Sequence, residues 1–201
     1  MITESTWFAV QTRPMCEQRV KSSLIQKGYQ CLVPMYRQMR KWCYRSVEID
    51  LPLFPMYVFC CATPSLVGKA IATQGVTRIV AFGGRPAEIE TAEIEALQRL
   101  AQSDLVREPW MYLPNGTTIQ VETGPLAGIR GKYCSSDNKH RVVINVTILQ
   151  QSVAAQLDEN TVISVIEAHR GEIQKSDASG RKIVLNNQPD LALSLIRPAK
   201  V

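Results

Sequence analysis

The chain lacks the long apolar runs that cross membranes or direct secretion. No window approaches about 18 uninterrupted apolar residues, and the opening "MITESTWFAV" has no basic start followed by an apolar run. We therefore expect a cytoplasmic protein with no membrane partner. The six cysteines are then expected to stay reduced, as thiols usually do in that compartment.

Metal ligands and catalytic pairs are also scarce. The cysteines show no C-x-x-C spacing, and His140 and His169 are the only histidines in the sequence, so a zinc cluster is hard to assemble. Spacing suggests no nucleophile beside either histidine. The segment "GPLAGIRGKY" superficially matches a phosphate-binding loop, but Leu126 stands where glycine is needed and Tyr133 where Ser or Thr would bind magnesium. We expect no cofactor, no metal and no enzymatic activity.

Acidic residues are nearly missing between Arg13 and Arg45. Eight Lys and Arg residues lie in that stretch against one acid, Glu17, whereas "EIETAEIE" near position 90 is acidic. The formal net charge is only +5, so the uneven distribution is more informative than the total. A basic side of this kind suits contact with a polyanion.

The first half of the sequence predicts alternating strands and helices. "WFAVQT" is typical of a strand, "MCEQRVKSSLIQKG" of a helix, and "YQCLVPMYRQMRKW" with "SVEIDLPLFPMYVFCCA" of a long hairpin with a basic, aromatic tip. A helix from Thr63 to about Ala72, the strand "GVTRIVAFGG" and a helix from Thr91 follow. The order β-α-β-β-α-β-α predicts an α/β sandwich over residues 1–104, in which helices cover a central, mainly antiparallel sheet.

The second half has a different pattern, after a linker predicted at residues 105–114. Residues 115–166 contain short β-branched runs separated by Gly, Pro, Asn and Asp. Five strands in about fifty residues predict a small β-barrel. Residues 167–201 are expected to form a partly flexible extension, and the fold class of the whole chain is predicted to be α+β.

One predicted strand raises a question about exposure. In "MYVFCC", residues 56–61, both alternating sets of side chains are apolar. Either this strand is buried on both faces, or one face is kept apolar for a partner.

The order of the motifs resembles the NusG family of transcription elongation factors. The resemblance rests on "WFAVQTRP", "LFPMYVF", "GVTRIVAFGG" and the barrel segment "VETGPLAGIRGK", and it covers about residues 6–166. It implies an N-terminal NGN domain that binds RNA polymerase, followed by a C-terminal KOW barrel that recruits a second partner.

For the NGN domain, the resemblance implies docking on the clamp helices of the largest polymerase subunit. Tyr57, Phe59, Phe82 and Ile94 align with the positions that make this contact. We therefore interpret the outer face of "LFPMYVF" as part of an exposed aromatic patch rather than as core. The nearest polar candidates for contact with the polymerase gate loop are Ser65 and Lys69.

The resemblance also implies that non-template DNA lies on the basic side of this domain. Arg13, Arg19 and Thr73 match positions that contact DNA in specialised members similar to RfaH, and Gln74 stands where such members can carry an arginine. The hairpin tip combines charge with an aromatic ring, which suits contact with a single strand or a phosphate backbone. The candidates at the tip are Arg37, Arg40, Lys41, Trp42 and Arg45.

The KOW domain is implied to bind the ribosomal protein NusE or the termination factor Rho. Leu149, Gln150 and Gln151 replace the aromatic-Gly-Arg trio that is typical of housekeeping members. This replacement argues against Rho and for a specialised, RfaH-type paralogue. Ile148 and Leu149 are apolar enough to contact NusE.

Together these features predict a monomeric elongation and antitermination factor that suppresses pausing and promotes read-through of long operons. Two other interpretations stay open. One is a housekeeping NusG that acts with Rho in termination. The other is a stand-alone RNA- or ribosome-binding protein, since small basic β-barrels often bind RNA.

Overall fold

A computed structural model describes residues 5–136, 139–167 and 182–185. The chain divides into two compact units. The first comprises Met1–Ala101 with Val146–Gln150, and the second Gln102–Asn145 with Gln151–Val201. No helix in the described ranges is long and apolar enough to cross a membrane.

The first unit is an antiparallel sheet with three helices. The sheet has the order β2-β5-β1-β6, and a short strand, β9, also pairs with β1. The elements in chain order are β1 (Thr6–Thr12), α1 (Glu17–Gln26), β2 (Gln30–Leu32), β3 (Met35–Trp42), β4 (Arg45–Pro52), β5 (Tyr57–Ala62), α2 (Pro64–Ile71), β6 (Val76–Ile79), β7 (Ala81–Phe82), β8 (Arg85–Pro86), β9 (Glu88–Ile89) and α3 (Thr91–Gln102).

One core lies on the face of the sheet that carries Phe8 and Val10 of β1. Directly opposite them in the register are Cys60 and Val58 of β5. Val20 and Leu24 of α1 and Val67 and Ala70 of α2 belong to the same buried cluster. Apolar residues recur every three to four positions in α1, so one side of that helix is buried while its charged side faces water.

The opposite face of the same strands is buried as well. Phe59 of β5 has no exposed surface, and its ring meets the ring of Phe54 edge-on, with centroids 5.2 Å apart. Ala9, which pairs with Phe59 across the sheet, is also fully buried. Strand β5 is therefore buried on both faces, which answers the question raised by its two apolar sets of side chains.

The long hairpin differs from its prediction. The predicted first strand is broken at Val33 and Pro34, so β2 pairs with β5 in the main sheet while β3 and β4 form a two-stranded ribbon. Proline has no backbone N–H to donate to a neighbouring strand, which explains a break at this point. The carbonyl of Pro34 instead accepts a hydrogen bond from the backbone N–H of Leu53, at 2.9 Å.

The second unit is built on an open antiparallel sheet with the order β10-β14-β13-β12-β11-β15-β16. Its strands are β10 (Arg107–Trp110), β11 (Thr118–Val121), β12 (Arg130–Ser136), β13 (Lys139–Val146), β14 (Gln151–Gln156), β15 (Val162–Glu167) and β16 (Lys182–Val184). A 3₁₀ turn at Thr147–Leu149 joins β13 to β14.

The predicted closed, five-stranded barrel is not observed among the described residues. Five strands do fall in the predicted segment, but β10 and β16 extend the sheet at its two ends. Strand β10 also lies inside residues 105–114, the predicted linker, where Arg107–Trp110 pairs with β14. The predicted flexibility of residues 167–201 concerns a segment that lies almost wholly outside the described residues, and the domain boundaries stay predictions.

Candidate nucleic-acid and polymerase interface

The predicted aromatic patch is not exposed as a whole. Phe59 is 0% and Ile94 1% exposed, whereas Phe82 is 65% exposed and Tyr57 is half-buried. The expectation that Phe59 and Ile94 lie on the surface is therefore wrong. The physical reason is that both faces of β5 are covered, and that the apolar side of α3, with Ile94, is turned into the protein.

The sequence held a signal for this burial. Helix α3 places Ile94, Leu97 and Leu100 at helical spacing, and all three are buried. An amphipathic helix needs an apolar surface to cover. The sequence therefore allowed two roles for the second apolar face of β5. It could be covered inside the domain, or it could contact a partner protein.

Four of the predicted DNA-binding residues come from two segments that the structure holds together. Arg13 and Arg19 lie at the end of β1 and on α1, and Thr73 and Gln74 lie in the loop between α2 and β6. The backbone N–H of Arg13 donates to the carbonyl of Gly75 at 2.9 Å, and the Arg19 guanidinium donates to Gln74 Oε1 at 3.4 Å. The spacing of these residues in the sequence did not predict these contacts.

Lys27, which was not among the predicted DNA-binding residues, contacts this group. Its ammonium Nζ donates to Thr73 Oγ1 at 2.7 Å. Thr73 is only 4% exposed, so its hydroxyl positions Lys27 and is not presented on the surface as predicted. We call Arg13, Arg19, Lys27 and Gln74, which are all exposed, the basic junction. The only sequence signal for Lys27 was its place in the basic stretch.

Backbone geometry fixes the loop of the basic junction against α1. Gly75 has φ +95°, in the left-handed region that favours glycine, and a Cβ added there would lie 2.9 Å from Val20 Cγ2. On the other side of the junction, the buried carboxylate of Glu17 accepts a hydrogen bond from the backbone N–H of Met56 at 2.7 Å. Both contacts fix the start of α1, and with it the position of Arg19.

The hairpin divides its candidates between two faces. Trp42 is opposite Arg45, and Arg40 is opposite Val47, so Arg40, Trp42 and Arg45 share one face. We call these three residues the hairpin face. Trp42 is 71% exposed, so its ring is available for stacking.

The other face of the hairpin carries Arg37 and Lys41 together with acidic residues. Arg37 is opposite Asp50, and its Nε lies 3.8 Å from Asp50 Oδ1. Glu48 lies on the same face, opposite Met39. The acidic side chains reduce the positive charge of this face, so the five predicted tip residues are not equivalent.

Comparison with known proteins bears on this arrangement. A family model described as "NusG: Transcription termination factor nusG" matches residues 5–98. This part of the chain is therefore similar to the NusG family. The matched NusG segment runs from the start of β1 into α3 and therefore contains the basic junction and the whole hairpin.

The chain is also similar to solved structures of NusG and Spt5 proteins. A structure described as "Domain interaction in Thermotoga maritima NusG" is 20% identical over 77% of this chain and 93% of that chain, with a TM-score of 0.44. The MjSpt4:Spt5 complex in conformation A is 21% identical over 68% of this chain and 83% of that chain, with a TM-score of 0.28. Because both TM-scores are below 0.5, the similarity to NusG rests on the family model that matches residues 5–98.

The remaining candidates lie in and beyond the NusG segment. Lys69 of α2 is exposed, and it lines an open depression with Lys27, Gly28 and Tyr29. Ser65 also lies on α2, with its side chain outside the described part of the structure. Ile148 and Leu149, the predicted KOW contacts, are half-buried in the 3₁₀ turn, outside the residues that match NusG.

Proposed function

We propose that this protein is a specialised, RfaH-type transcription elongation and antitermination factor. It binds RNA polymerase through its N-terminal domain, contacts the non-template DNA strand, suppresses pausing and promotes read-through of long operons. It acts in the cytoplasm as a monomer, without a cofactor and without catalysis. The observation that carries the proposal is the basic junction, in which three exposed cations of residues 13–27 belong to a stretch that the structure ties to the loop of Thr73, Gln74 and Gly75.

DNA binding is supported by the chemistry of the basic junction. Arg13, Arg19 and Lys27 can each donate to phosphate oxygens, and Gln74 can hydrogen-bond a base edge or a phosphate. The hairpin face adds Arg40 and Arg45 around the exposed ring of Trp42, a combination that suits an unpaired strand.

Polymerase binding is assigned to the accessible members of the predicted patch. Phe82 is exposed and Tyr57 half-buried, so these two side chains are available to the clamp helices, while Phe59 and Ile94 support the surface from within. Lys69 is available to the gate loop. The KOW domain is proposed to bind NusE through Ile148 and Leu149, and not Rho.

The test is the salt dependence of binding to a transcription elongation complex. Binding of the wild type and of the double variant Arg13→Gln/Arg19→Gln is measured at several salt concentrations, on complexes with and without an exposed non-template strand. Each lost phosphate contact lowers the slope of log K against log salt by about 0.7 to 0.9. For the double variant, we expect the magnitude of this slope to decrease by about 1.4 to 1.8. The decrease should occur only on complexes that carry the exposed non-template strand.

A control variant in the second unit tests whether loss of an exposed cation is by itself enough to change the slope. Arg130→Gln removes an exposed cation whose described contact is with Gln120, and it should leave the slope unchanged. If the double variant and this control behave alike, or if removal of the strand changes nothing for the wild type, the DNA part of the proposal fails.

A second function is favoured by the description of the matching family. That description names a termination factor, so a housekeeping role with Rho is the alternative. Capture of Rho by the full-length protein, abolished by substitutions at Ile148 and Leu149, would support termination and sink the antitermination proposal. Tight RNA binding without polymerase would instead support a stand-alone RNA-binding module.

A further inference from the structure

Two cysteines lie directly opposite each other in the main sheet. Cys31 of β2 is the register partner of Cys60 of β5 in an antiparallel pair. Directly opposite residues of such pairs have Cα atoms about 4.5 to 5.5 Å apart, and disulfides usually join Cα atoms about 4.4 to 6.8 Å apart. The backbone therefore already holds these two residues at a separation that a disulfide accepts.

The two thiols share one face and differ in access. Cys60 is 1% exposed and belongs to the buried core cluster, against which the half-buried Cys31 packs. A reagent in solution therefore reaches Cys31 first. Cys60 can be reached from Cys31 without opening the core.

The hydrogen bond between the thiols gives them different reactivity. Hydrogen bonding with Cys60, aided by the nearby charge of Lys21, outweighs partial burial and lowers the pKa of Cys31. The same bond, together with burial, raises the pKa of Cys60. The accessible sulfur is therefore the one that more readily becomes a thiolate, the form that attacks disulfides.

We propose that Cys31 and Cys60 are a site of reversible thiol–disulfide exchange with low-molecular-weight disulfides such as oxidised glutathione. The Cys31 thiolate attacks one sulfur of the reagent, the S–S bond of the reagent breaks, and one glutathione thiolate leaves. Cys60 then attacks the Cys31 sulfur as its proton passes to the departing glutathione sulfur, and the bond from Cys31 to glutathione breaks to release the second glutathione as a thiol. The protein loses two hydrogens and two electrons, and the reagent gains them as two thiols.

The second step is favoured by the first. The main cause of the raised pKa of Cys60 is its hydrogen bond to the Cys31 sulfur. Once that sulfur is part of a mixed disulfide, it carries no negative charge, so this cause of the raised pKa of Cys60 is removed and burial is the main one left. Cys60 then becomes the nucleophile.

Neighbouring cysteines provide internal controls. Cys61 follows Cys60 but points to the opposite face of β5, where its register partners are Gln30 and Trp7. Cys43 is exposed at the tip of the hairpin, away from a described partner thiol. We expect Cys43 to take up glutathione without forming an internal disulfide, so Cys43→Ser is the background for the experiment.

The disulfide would close a loop from position 31 to position 60 that contains all of β3 and β4. It would fix the short strand β2 to the central strand β5. Closing a loop in this way restricts the unfolded chain, so the oxidised protein should melt at a higher temperature than the reduced one.

The experiment treats the folded, full-length Cys43→Ser protein with oxidised glutathione, blocks the remaining thiols by alkylation and maps the tryptic peptides by mass. The expected product links residues 28–37, which contain Cys31, to residues 46–69, which contain Cys60 and Cys61. Cys61→Ser should leave this link intact. Cys60→Ala should instead leave glutathione attached to Cys31, and Cys31→Ser should abolish both products. A reductant should reverse the reaction and the rise in melting temperature.

Three results would overturn the proposal. One is glutathione retained on Cys31 in the Cys43→Ser protein, with no internal link. Another is a link that disappears in Cys61→Ser, because the resolving thiol would then be Cys61. The third is absence of any reaction at Cys31 while circular dichroism shows a folded protein.

Discussion

Replacing Phe59 by alanine tests whether this residue belongs to the core or to a docking surface. Phe59 has no exposed surface, and its ring contacts the ring of Phe54 edge-on at 5.2 Å. Truncation of a buried phenylalanine costs about 3 to 5 kcal/mol of unfolding free energy, because transfer energy is lost and a cavity remains. Domains of this size are stable by only about 5 to 15 kcal/mol, so the loss is a large part of the total.

The assay compares Phe59→Ala with Phe82→Ala in the full-length protein. Urea unfolding is followed by circular dichroism, and binding to the polymerase clamp-helix fragment is measured below the unfolding transition. We expect Phe59→Ala to lower the urea midpoint strongly. Phe82 is 65% exposed, so Phe82→Ala should change stability by no more than about 0.5 kcal/mol while weakening the proposed binding by about 1 to 3 kcal/mol.

The opposite pattern would refute this reasoning. If Phe59→Ala lost binding with an unchanged urea midpoint, its side chain would have to reach the partner directly, and the assignment to the core would be wrong. Phe59→Leu provides a milder control, since it keeps most of the apolar volume and should fall between the wild type and the alanine variant in stability.

Two further predictions concern the hairpin and the second unit. Arg40→Gln should reduce the affinity for an exposed non-template strand more than Arg37→Gln, because Arg37 lies beside Asp50. Equal affinities of the two variants in a fluorescence titration would contradict the division of the hairpin into two faces. Gly131→Ala should lower the melting temperature, because its Cβ would lie 2.6 Å from Val142 Cγ2 and 2.8 Å from the carbonyl oxygen of Val143. Such crowding costs about 1 to 3 kcal/mol. Gly68 lies in α2 with open space around it, so Gly68→Ala is the control and should raise stability by up to about 1 kcal/mol. Equal melting temperatures for the two alanine variants would contradict the close packing at Gly131.

Elements with strong local signals could be predicted from the sequence. Helix α1 follows a proline and ends just before Gly28, and α2 has Thr63 at its N-cap and Pro64 at its first position. Most strands of the first unit and the strand-rich second unit also follow from hydrophobic periodicity, whereas the mainly antiparallel sheet was expected from the resemblance to NusG proteins. These features depend on residues close together in the chain, which is why a pattern can reveal them.

Features that depend on distant residues could not be predicted in this way. The burial of Phe59 depends on tertiary packing that covers the second face of the sheet, which alternation within β5 does not specify. The bond from Lys27 to Thr73 joins residues 46 positions apart. Strands β10 and β16, which form the two ends of the second sheet, lie in segments where periodicity predicted no strand.

The hairpin ribbon has a consequence for solubility. Strands β3 and β4 pair only with each other among the described residues, so each strand leaves one row of backbone N–H and C=O groups without a neighbouring strand. Such edges promote aggregation, and charged side chains along them oppose it. The charges proposed to contact DNA therefore also protect the protein from joining strands with its own copies. We expect that removing several of them at once would produce aggregates, and that single substitutions are the safer way to measure DNA contact.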